Sequence, residues 1–262
     1  MLRGGIKMSK APAVDYALDI IEYFAINNCP IGISDISNAL NINKNAVSRV
    51  LEALIEKNWI YACEENQKKY KLTLRPFSVL SNNVRRNGIV HIATPLLENL
   101  NNELGDSVYL GVKSGKNVMY LLHFDSKKEV RINGRVGGEY PLNCSAPGKV
   151  LLSYSESDDI KAYFNDPISK MTENTIVDYS HFISEAINIR QSGYAVDDEE
   201  FAKGIICIAT PVFNCDGCVV ACVGLSTLTL YDSIHSLTNK KLELLKSVAD
   251  EISKKLGYSA KE

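Results

Sequence analysis

The stretch Lys44-Asn45-Ala46-Val47-Ser48-Arg49 holds the side chains best suited to reading an acidic polymer. Asn45, Ser48 and Arg49 can donate hydrogen bonds to bases or phosphates. Asn45 and Ser48 can also accept them, and Lys44 adds a charge suited to a phosphate. Side chains near the amino end of a helix reach base edges when that helix enters a major groove. Ala46 lies between them, and Ser34 opens the helix before. With Lys68 and Lys69 in the expected turn of a following hairpin, these form the candidate DNA-contacting set. The competing reading is a solvated face, because Glu52, Glu56, Glu64 and Glu65 dilute the charge, and a winged helix can also serve protein contact.

Other chemistry is thinner. Cys215-Asp216-Gly217-Cys218 is a C-x-x-C across an Asp-Gly turn, and if that turn is two residues long the thiols face each other. A metal site needs about four ligands, with Cys222 only a third candidate, and no second cysteine pair accompanies a redox switch. Seven cysteines without a secretory signal suggest reduced thiols, most of them small buried apolar groups. A thiol (Cys144 or Cys207) and a histidine (His91, His123, His181 or His235) could serve an enzyme. No phosphate-binding loop, nucleophile elbow or zinc helix motif surrounds them, so catalysis is the weaker hypothesis. No cofactor and no metal is expected. Ala146-Pro147-Gly148 precedes a helix whose amino end could hold an anion.

The elements that must position these residues follow from periodicity. An apolar stripe at Val14, Ala17, Leu18, Ile21, Phe24 and Ala25 predicts a helix ending near Cys29-Pro30. Ser34 is the expected N-cap of a short helix with Ile36, Ala39 and Leu40 inward. After Asn41–Asn43, Val47, Val50, Leu51, Leu54 and Ile55 line a longer helix. Short strands at Trp59–Tyr61 and Lys69–Leu72 complete a winged helix-turn-helix. From Phe77 to Leu104 the pattern is helical, with Pro95 marking a break or a new start. Thereafter strands are expected at Ser107–Lys113, Asn117–Asp125, Glu129–Arg135, Gly193–Val196, Ile205–Phe213 and Val219–Leu225. Helices are expected at Gly148–Tyr154, Ser157–Phe164, Ser180–Ser192 and Leu237–Leu256. The fold class is therefore α+β, with mostly antiparallel strands and helices on one side.

Charge separates the two parts. The formal net charge is −2 over 262 residues. Residues 1–90 hold 12 Lys and Arg against 8 Asp and Glu, a net +4, and residues 91–262 hold 17 against 23, a net −6. A basic module joined to an acidic one is the implied organisation. No apolar run is long enough to span a bilayer, and the amino terminus lacks an apolar core before a cleavage site. A cytoplasmic protein without membrane contact is expected.

Residues Ile33–Leu51 resemble the helix-turn-helix of the IclR family of bacterial transcriptional regulators. Gly137-Gly138-Glu139-Tyr140-Pro141-Leu142-Asn143-Cys144-Ser145-Ala146-Pro147-Gly148-Lys149 is similar to that family's glycine-rich strand-turn-helix. Gly193–Gly204, running on through Cys207-Ile208-Ala209-Thr210-Pro211-Val212-Phe213, resembles its most recognisable signature. The resemblance implies a disordered lead-in over 1–11, a winged helix-turn-helix over 12–75, a linker helix over 76–92 and a GAF-like effector-binding domain over 93–258. It implies a homodimer, or a dimer of dimers, on double-stranded operator DNA, acting more as repressor than activator. The implied effector is a small carboxylate or aromatic metabolite. The family's effector positions fall on Ala146, Pro147, Asp197, Cys207, Gly224 and Ser226, with Ile132 and Tyr140 as walls. Pro147 supplies no N–H to an anion cradle, and Gly224, where a serine can stand, removes a donor and adds space. An effector other than a minimal keto acid is expected. The alternatives are a small-molecule-transforming enzyme and a redox or metal sensor using the carboxy-terminal cysteines.

Overall fold

The computed structural model describes residues 11–27, 29–63, 66–79 and 88–259. The expected lead-in, apart from Ala11, lies outside the described residues. So do Glu64 and Glu65, the Arg85-Arg86 pair, and residues 80–87 of the expected linker helix; residues 75–79 form a helical turn. The chain divides into two compact units at residue 83.

The first unit runs α1 (Pro12–Asn27), β1 (Ile31–Gly32), α2 (Ile33–Leu40), α3 (Lys44–Glu56), β2 (Ile60–Cys63) and β3 (Asn66–Leu72). The strands form an antiparallel sheet in the order β1-β3-β2. Ile20, Phe24, Ile36, Val47, Leu51 and Ile60 are buried in its core, each worth about 1.5–3 kcal/mol. Two asparagines end the helices. Asn41 (φ 54°) closes α2, and Asn58 (φ 58°) follows α3, a left-handed backbone that Asn tolerates through its short polar side chain. Asn43 caps α3, its side chain accepting from the Asn45 N–H at 2.8 Å.

Several local expectations are corrected here. Gly32, not Ser34, is the N-cap of α2; Asp35 in the first turn accepts from the Gly32 N–H at 3.2 Å. Ser34 is exposed, as is Ala39, and Ile55 is 38% exposed. On α1 the buried line is Ile20 and Phe24, while Val14, Leu18 and Ala25 face outward. The apolar stripe there is wider than one buried face.

The second unit comprises α4 (Gly88–Leu104), β4 (Ser107–Ser114), β5 (Asn117–Phe124), β6 (Glu139–Pro141), α5 (Ala146–Ser153), α6 (Ser157–Phe164) and α7 (Tyr179–Ser192). It continues through β7 (Ala195–Asp198), β8 (Ile205–Phe213), β9 (Val219–Leu228), α8 (Ile234–Ser236), a π-helical turn (Leu237–Lys241) and α9 (Leu242–Lys255). Its sheet is antiparallel throughout, in the order β6-β5-β4-β9-β8-β7. Helices cover both faces, not one. Cys207 and Ala209 face a core shared with α5 and α7, while Ile206, Ile208 and Val212 face a second core with α4 and α9. Burial on both sides explains why β8 and β9 read as continuous apolar runs without alternation.

Helix α4 continues through Pro95, which the sequence marks as a break or a new start. Residues 129–135 form no strand. Among the described residues no helix is long and apolar enough to cross a membrane.

Candidate functional site

Strand register builds the site. Asp197 on β7 stands opposite Cys207 on β8, Cys207 opposite Ser226 on β9, and Ser226 opposite Ser107 on β4. Directly opposed residues share a face of the sheet, so four polar side chains form one row across four strands. All four are buried. The Cys207 Sγ and Ser226 Oγ are 3.1 Å apart. The row floors a cavity of about 420 Å³ of empty space, its open mouth included.

Asp197 is held by the turn that follows it. Its Oδ1 accepts from the Glu200 N–H at 2.8 Å and the Phe201 N–H at 3.3 Å. Glu199, between Asp197 and these two donors, takes φ 55°, so the acidic run folds back on itself, leaving Asp198 exposed and Asp197 only 1% exposed. Burial pushes the Asp197 carboxyl up to about 6, against the lowering effect of the two backbone N–H groups. A solvated acidic turn is the wrong description of this residue.

An aromatic wall closes one side. Tyr109 stacks on Tyr120 at 4.3 Å between centroids, Tyr120 meets Tyr140 at 4.5 Å, and Tyr140 meets Phe201 edge-on at 5.6 Å. His123 lies 6.0 Å from Tyr120 in the same stack. Tyr120 and His123 are three residues apart, which on a regular strand puts them on opposite faces. The β4–β5 pairing shifts by one residue between Leu110 and Gly111, and this bulge turns both into the cavity. Burial lowers the His123 pKa, with Asp125 acting in the opposite sense.

Gly224 is occupied space, not added space. A Cβ there would lie 2.3–2.5 Å from the Tyr109 ring. The room made by losing a side chain at this position is filled by the tyrosine, whose hydroxyl has no hydrogen-bond partner among the described residues.

Behind the row, Lys149 of α5 is 1% exposed and pairs with Glu200, and with Glu185 at 3.0 Å. Burial alone would lower the Lys149 pKa; the two glutamates outweigh it and raise it. Burial moves Glu200 up to about 7 despite Lys149. The buried thiols Cys144 and Cys207 are poor nucleophiles. Burial raises Cys207 well above its ordinary value and Cys144 to about 12, so neither supplies thiolate near neutral pH.

Of the residues expected at an effector site, Ile132, Tyr140, Pro147, Asp197, Cys207 and Ser226 line this cavity, and Ala146 and Gly224 do not. Ser107, Tyr120, His123, Gly134, Ser145, Phe201 and Ile205 line it as well. Sequence reasoning missed these seven as cavity residues; strand partners of Ser226 would have revealed Ser107. The anion cradle at α5 is largely used up. Ser145 caps the helix by accepting from the Gly148 N–H at 3.2 Å, and the Lys149 N–H is bound to the Ser145 carbonyl.

The cysteine readings change too. Cys215 and Cys218 are exposed within a turn spanning 214–218, beyond the last strand pair Phe213–Val219, so they do not face each other across adjacent strands. Cys222 is fully buried against the Gly111 carbonyl. Cys144, Cys207 and Cys222 are buried, while Cys29 is exposed and Cys63 half-buried, so fewer than half serve the core.

In the first unit α3 exposes Lys44, Asn45 and Arg49, with Ala46 and Ser48 half-buried. The Ser48 hydroxyl donates to Glu52 at 3.2 Å. Lys68 and Lys69 are exposed within β3, not in the turn, and Lys69 pairs with Gly32 of β1. Adjacent strand residues point to opposite faces, so the two lysines do not serve one surface equally.

Residues 81–254 match the family described as the bacterial transcriptional regulator IclR carboxy-terminal domain, and residues 13–62 match the IclR helix-turn-helix domain. This chain belongs to the IclR family. Its members here are DNA-binding transcriptional regulators, not enzymes. The regulator KdgR of Escherichia coli K12 is 29% identical over 229 residues, covering 87% of this chain and 86% of that protein. The DNA-binding transcriptional repressor YiaJ of the same organism is 29% identical, covering 90% and 84%. The crystal structure of the Thermotoga maritima IclR superposes with a TM-score of 0.79 at 27% identity, covering 94% of this chain and 99% of that one. An IclR homologue from Microbacterium hydrocarbonoxydans, solved with 4-hydroxybenzoate, shares the fold with a TM-score of 0.81 at 18% identity, covering 94% and 100%.

Proposed function

We propose that this IclR-family regulator is a repressor whose operator affinity is set by a small organic acid or aromatic metabolite in the cavity above the Asp197 row. The observation that carries this is a buried row of polar groups beside an aromatic wall, in a unit separate from the helix that presents Lys44, Asn45 and Arg49. Such a site combines apolar walls with a few orienting polar groups, which is how small-molecule pockets achieve specificity. Ile132, Tyr140 and Pro147 supply walls, and Asp197, Cys207 and Ser226 supply polarity, whereas Ala146 and Gly224 act only through the backbone and packing behind them. Ser34, Lys44, Asn45, Ala46, Ser48, Arg49, Lys68 and Lys69 form the operator-facing set. A homodimer, or a pair of dimers, doubles the modest charge of one such module on a palindromic site. The 4-hydroxybenzoate complex of the Microbacterium homologue supports an aromatic acid as one class of effector.

The test is a mobility-shift titration on DNA upstream of the protein's own gene. Specific binding that an organic acid weakens, without chemical change to the acid, is expected. Absence of sequence-specific binding between low and moderate salt overturns the reading, and turnover of the acid restores the enzyme alternative.

A further inference from the structure

Segment 198–204, between β7 and β8, sets part of the cavity's rim. Phe201 within it and Ile205 at its end line that space, and both are half-buried. The segment is held from two sides. Asp197 Oδ1 fixes the Glu200 and Phe201 N–H groups. From the other side, the Thr172 hydroxyl donates to the Glu199 carbonyl at 2.7 Å and the Thr175 hydroxyl to the Glu200 carbonyl at 2.8 Å. The Asn174 amide donates to the Asp198 carbonyl at 3.0 Å.

The middle of this segment is anchored in charge. Glu200, Glu185 and Asp197 surround one base, Lys149, and of the ion-paired side chains only Glu185, at 27% exposure, meets much water. One Glu200 oxygen pairs with Lys149, while Oε2 is buried without a hydrogen-bond partner among the described residues. An ionised carboxylate there strands part of a buried charge, whereas a protonated one strands only a polar group, at far smaller cost. Three acids around one base thus favour keeping a proton. Burial, with Asp197 and Glu185 adding to it, raises Glu200 to about 7, and burial raises Asp197 to about 6. The other groups facing them hold their state near neutral pH. Lys149 is raised and stays charged, and the Cys144 and Cys207 thiols are raised and stay neutral. His123, in the same cavity lining, is lowered by burial, and Glu173 of the clasping loop pairs with Lys203 at 2.6 Å on the surface.

We propose that segment 198–204 is a proton-operated gate on the cavity, held closed while the cluster of Asp197, Glu200, Glu185 and Lys149 keeps a proton and released when that proton passes to water. Its bearing on effector response rests on the reading of this cavity as the effector site. Ionised Glu200 hydrates its second oxygen only by leaving the fold. That move draws the Glu200 and Phe201 N–H groups off Asp197 and the Phe201 ring away from Tyr140, and the rim opens beside the polar row. Glu200 at about 7 in the closed form, against an ordinary 4.5, fixes the sign. The closed form is fully favoured below about pH 4.5, opening grows about tenfold per pH unit up to about 7, and it levels off above.

Hydrogen exchange of the full chain without ligand tests this, read by mass spectrometry as protection over the intrinsic rate at each pH. Protection over 198–204 should fall about tenfold or more per pH unit between about pH 5 and 7 and level off above. It should also lie at least about tenfold below that of 205–213 throughout, the mark of local opening. In Glu200→Gln, which keeps the shape without the titration, the profile should be flat above about pH 6, where Asp197 has finished titrating. A flat profile between pH 6 and 7 in the unchanged protein, or the same fall there in the variant, overturns the gate. Equal protection over 198–204 and 205–213 makes the change an unfolding of the whole unit and overturns it too. Two of these outcomes need no variant, so a misfolded Glu200→Gln does not shield the proposal. The measurement uses no effector: failure of the gate leaves the effector reading standing, and operator binding that no organic acid alters leaves the gate standing.

Discussion

In the amino-terminal unit Lys44, Asn45 and Arg49 stand exposed on a helix whose opposite face makes the core. In the carboxy-terminal unit Asp197, Cys207, Ser226 and Lys149 are themselves inside the fold. The first arrangement lets function change without touching stability, because exposed side chains away from special features contribute within about 0.5 kcal/mol. The second couples them. A polar group buried without partners costs free energy, so each member of the row is tied to a neighbour that would be stranded by its removal. Substitutions in the reader should alter binding alone, and substitutions around the cavity should alter folding and ligand response together.

The largest expected effect breaks the pairing behind the row. Lys149→Met leaves Glu200 and Glu185 without their cation, a loss of roughly 3–5 kcal/mol. For a unit of this size it corresponds to a fall of about 10 °C in melting temperature, read by calorimetry. An unchanged melting point would mean that the buried unit tolerates polar loss as the surface does. Gly224→Ala comes next. Its Cβ collides with the Tyr109 ring, and overpacking of this kind costs about 1–3 kcal/mol. Combining it with Tyr109→Leu should recover part of the loss, and simple additivity of the two variants would show that the ring does not occupy that space.

On the exposed side, Arg49→Ala should weaken operator binding by about tenfold to a hundredfold, as loss of one base contact does. Its melting temperature should match that of the unchanged protein. A fall in both would place Arg49 in the fold and erase the contrast.

A smaller effect comes from pH. Asp197 titrates at about 6 and Glu200 at about 7, against ordinary values of 3.8 and 4.5. The folded state therefore binds protons that the unfolded chain has released. Their contribution to stability is complete below about pH 4 and is lost as pH rises through 6 to 7. His123, lowered by burial, acts in the opposite sense, and Lys149 stays charged throughout. The carboxy-terminal unit should melt a few °C lower at pH 8 than at pH 5.5, with Glu200→Gln flattening the difference. The smallest effect belongs to Lys69→Ala, which should reduce the salt dependence of operator binding by about one phosphate's worth per subunit and leave the melting temperature alone.

Much of this architecture is legible from local pattern. The strongly periodic elements α3, α6, α7, β8 and α9 are marked by apolar spacing and capping residues, signals that act within a few residues of chain. Departures occur where a distant partner overrides the local signal. One departure is local: Ser34 is a good N-cap residue, yet the carboxylate of Asp35 binds the Gly32 N–H and fixes the helix start two residues earlier. Pro95 reads as a break or a new start, yet apolar packing through Ala93, Leu97 and Leu100 holds α4 continuous. The stretch 129–135 has strand-forming residues but no strand pairs with it.

The residue types of the candidate site follow the same division. Asp197, Cys207 and Ser226 are picked out by motif, and the register shows that they share one row. His123 could not be placed from its spacing, since only the bulge in β5 brings it beside Tyr120. Gly224 carries opposite meanings at the two levels: added space by the family resemblance, and the seat of the Tyr109 ring in the fold.

What the sequence by itself determined is the kind of protein this is: a basic helix-turn-helix module ahead of an acidic α+β unit, with the residues that mark the IclR family. Those signals are local in the chain and survive without coordinates. Only the tertiary structure decided that Asp197 is buried instead of solvated, and that no Lys or Arg among the described residues lines the cavity beside it. Burial and proximity arise from strand pairing between residues 10 to 119 positions apart, and no local pattern encodes the electric field that results.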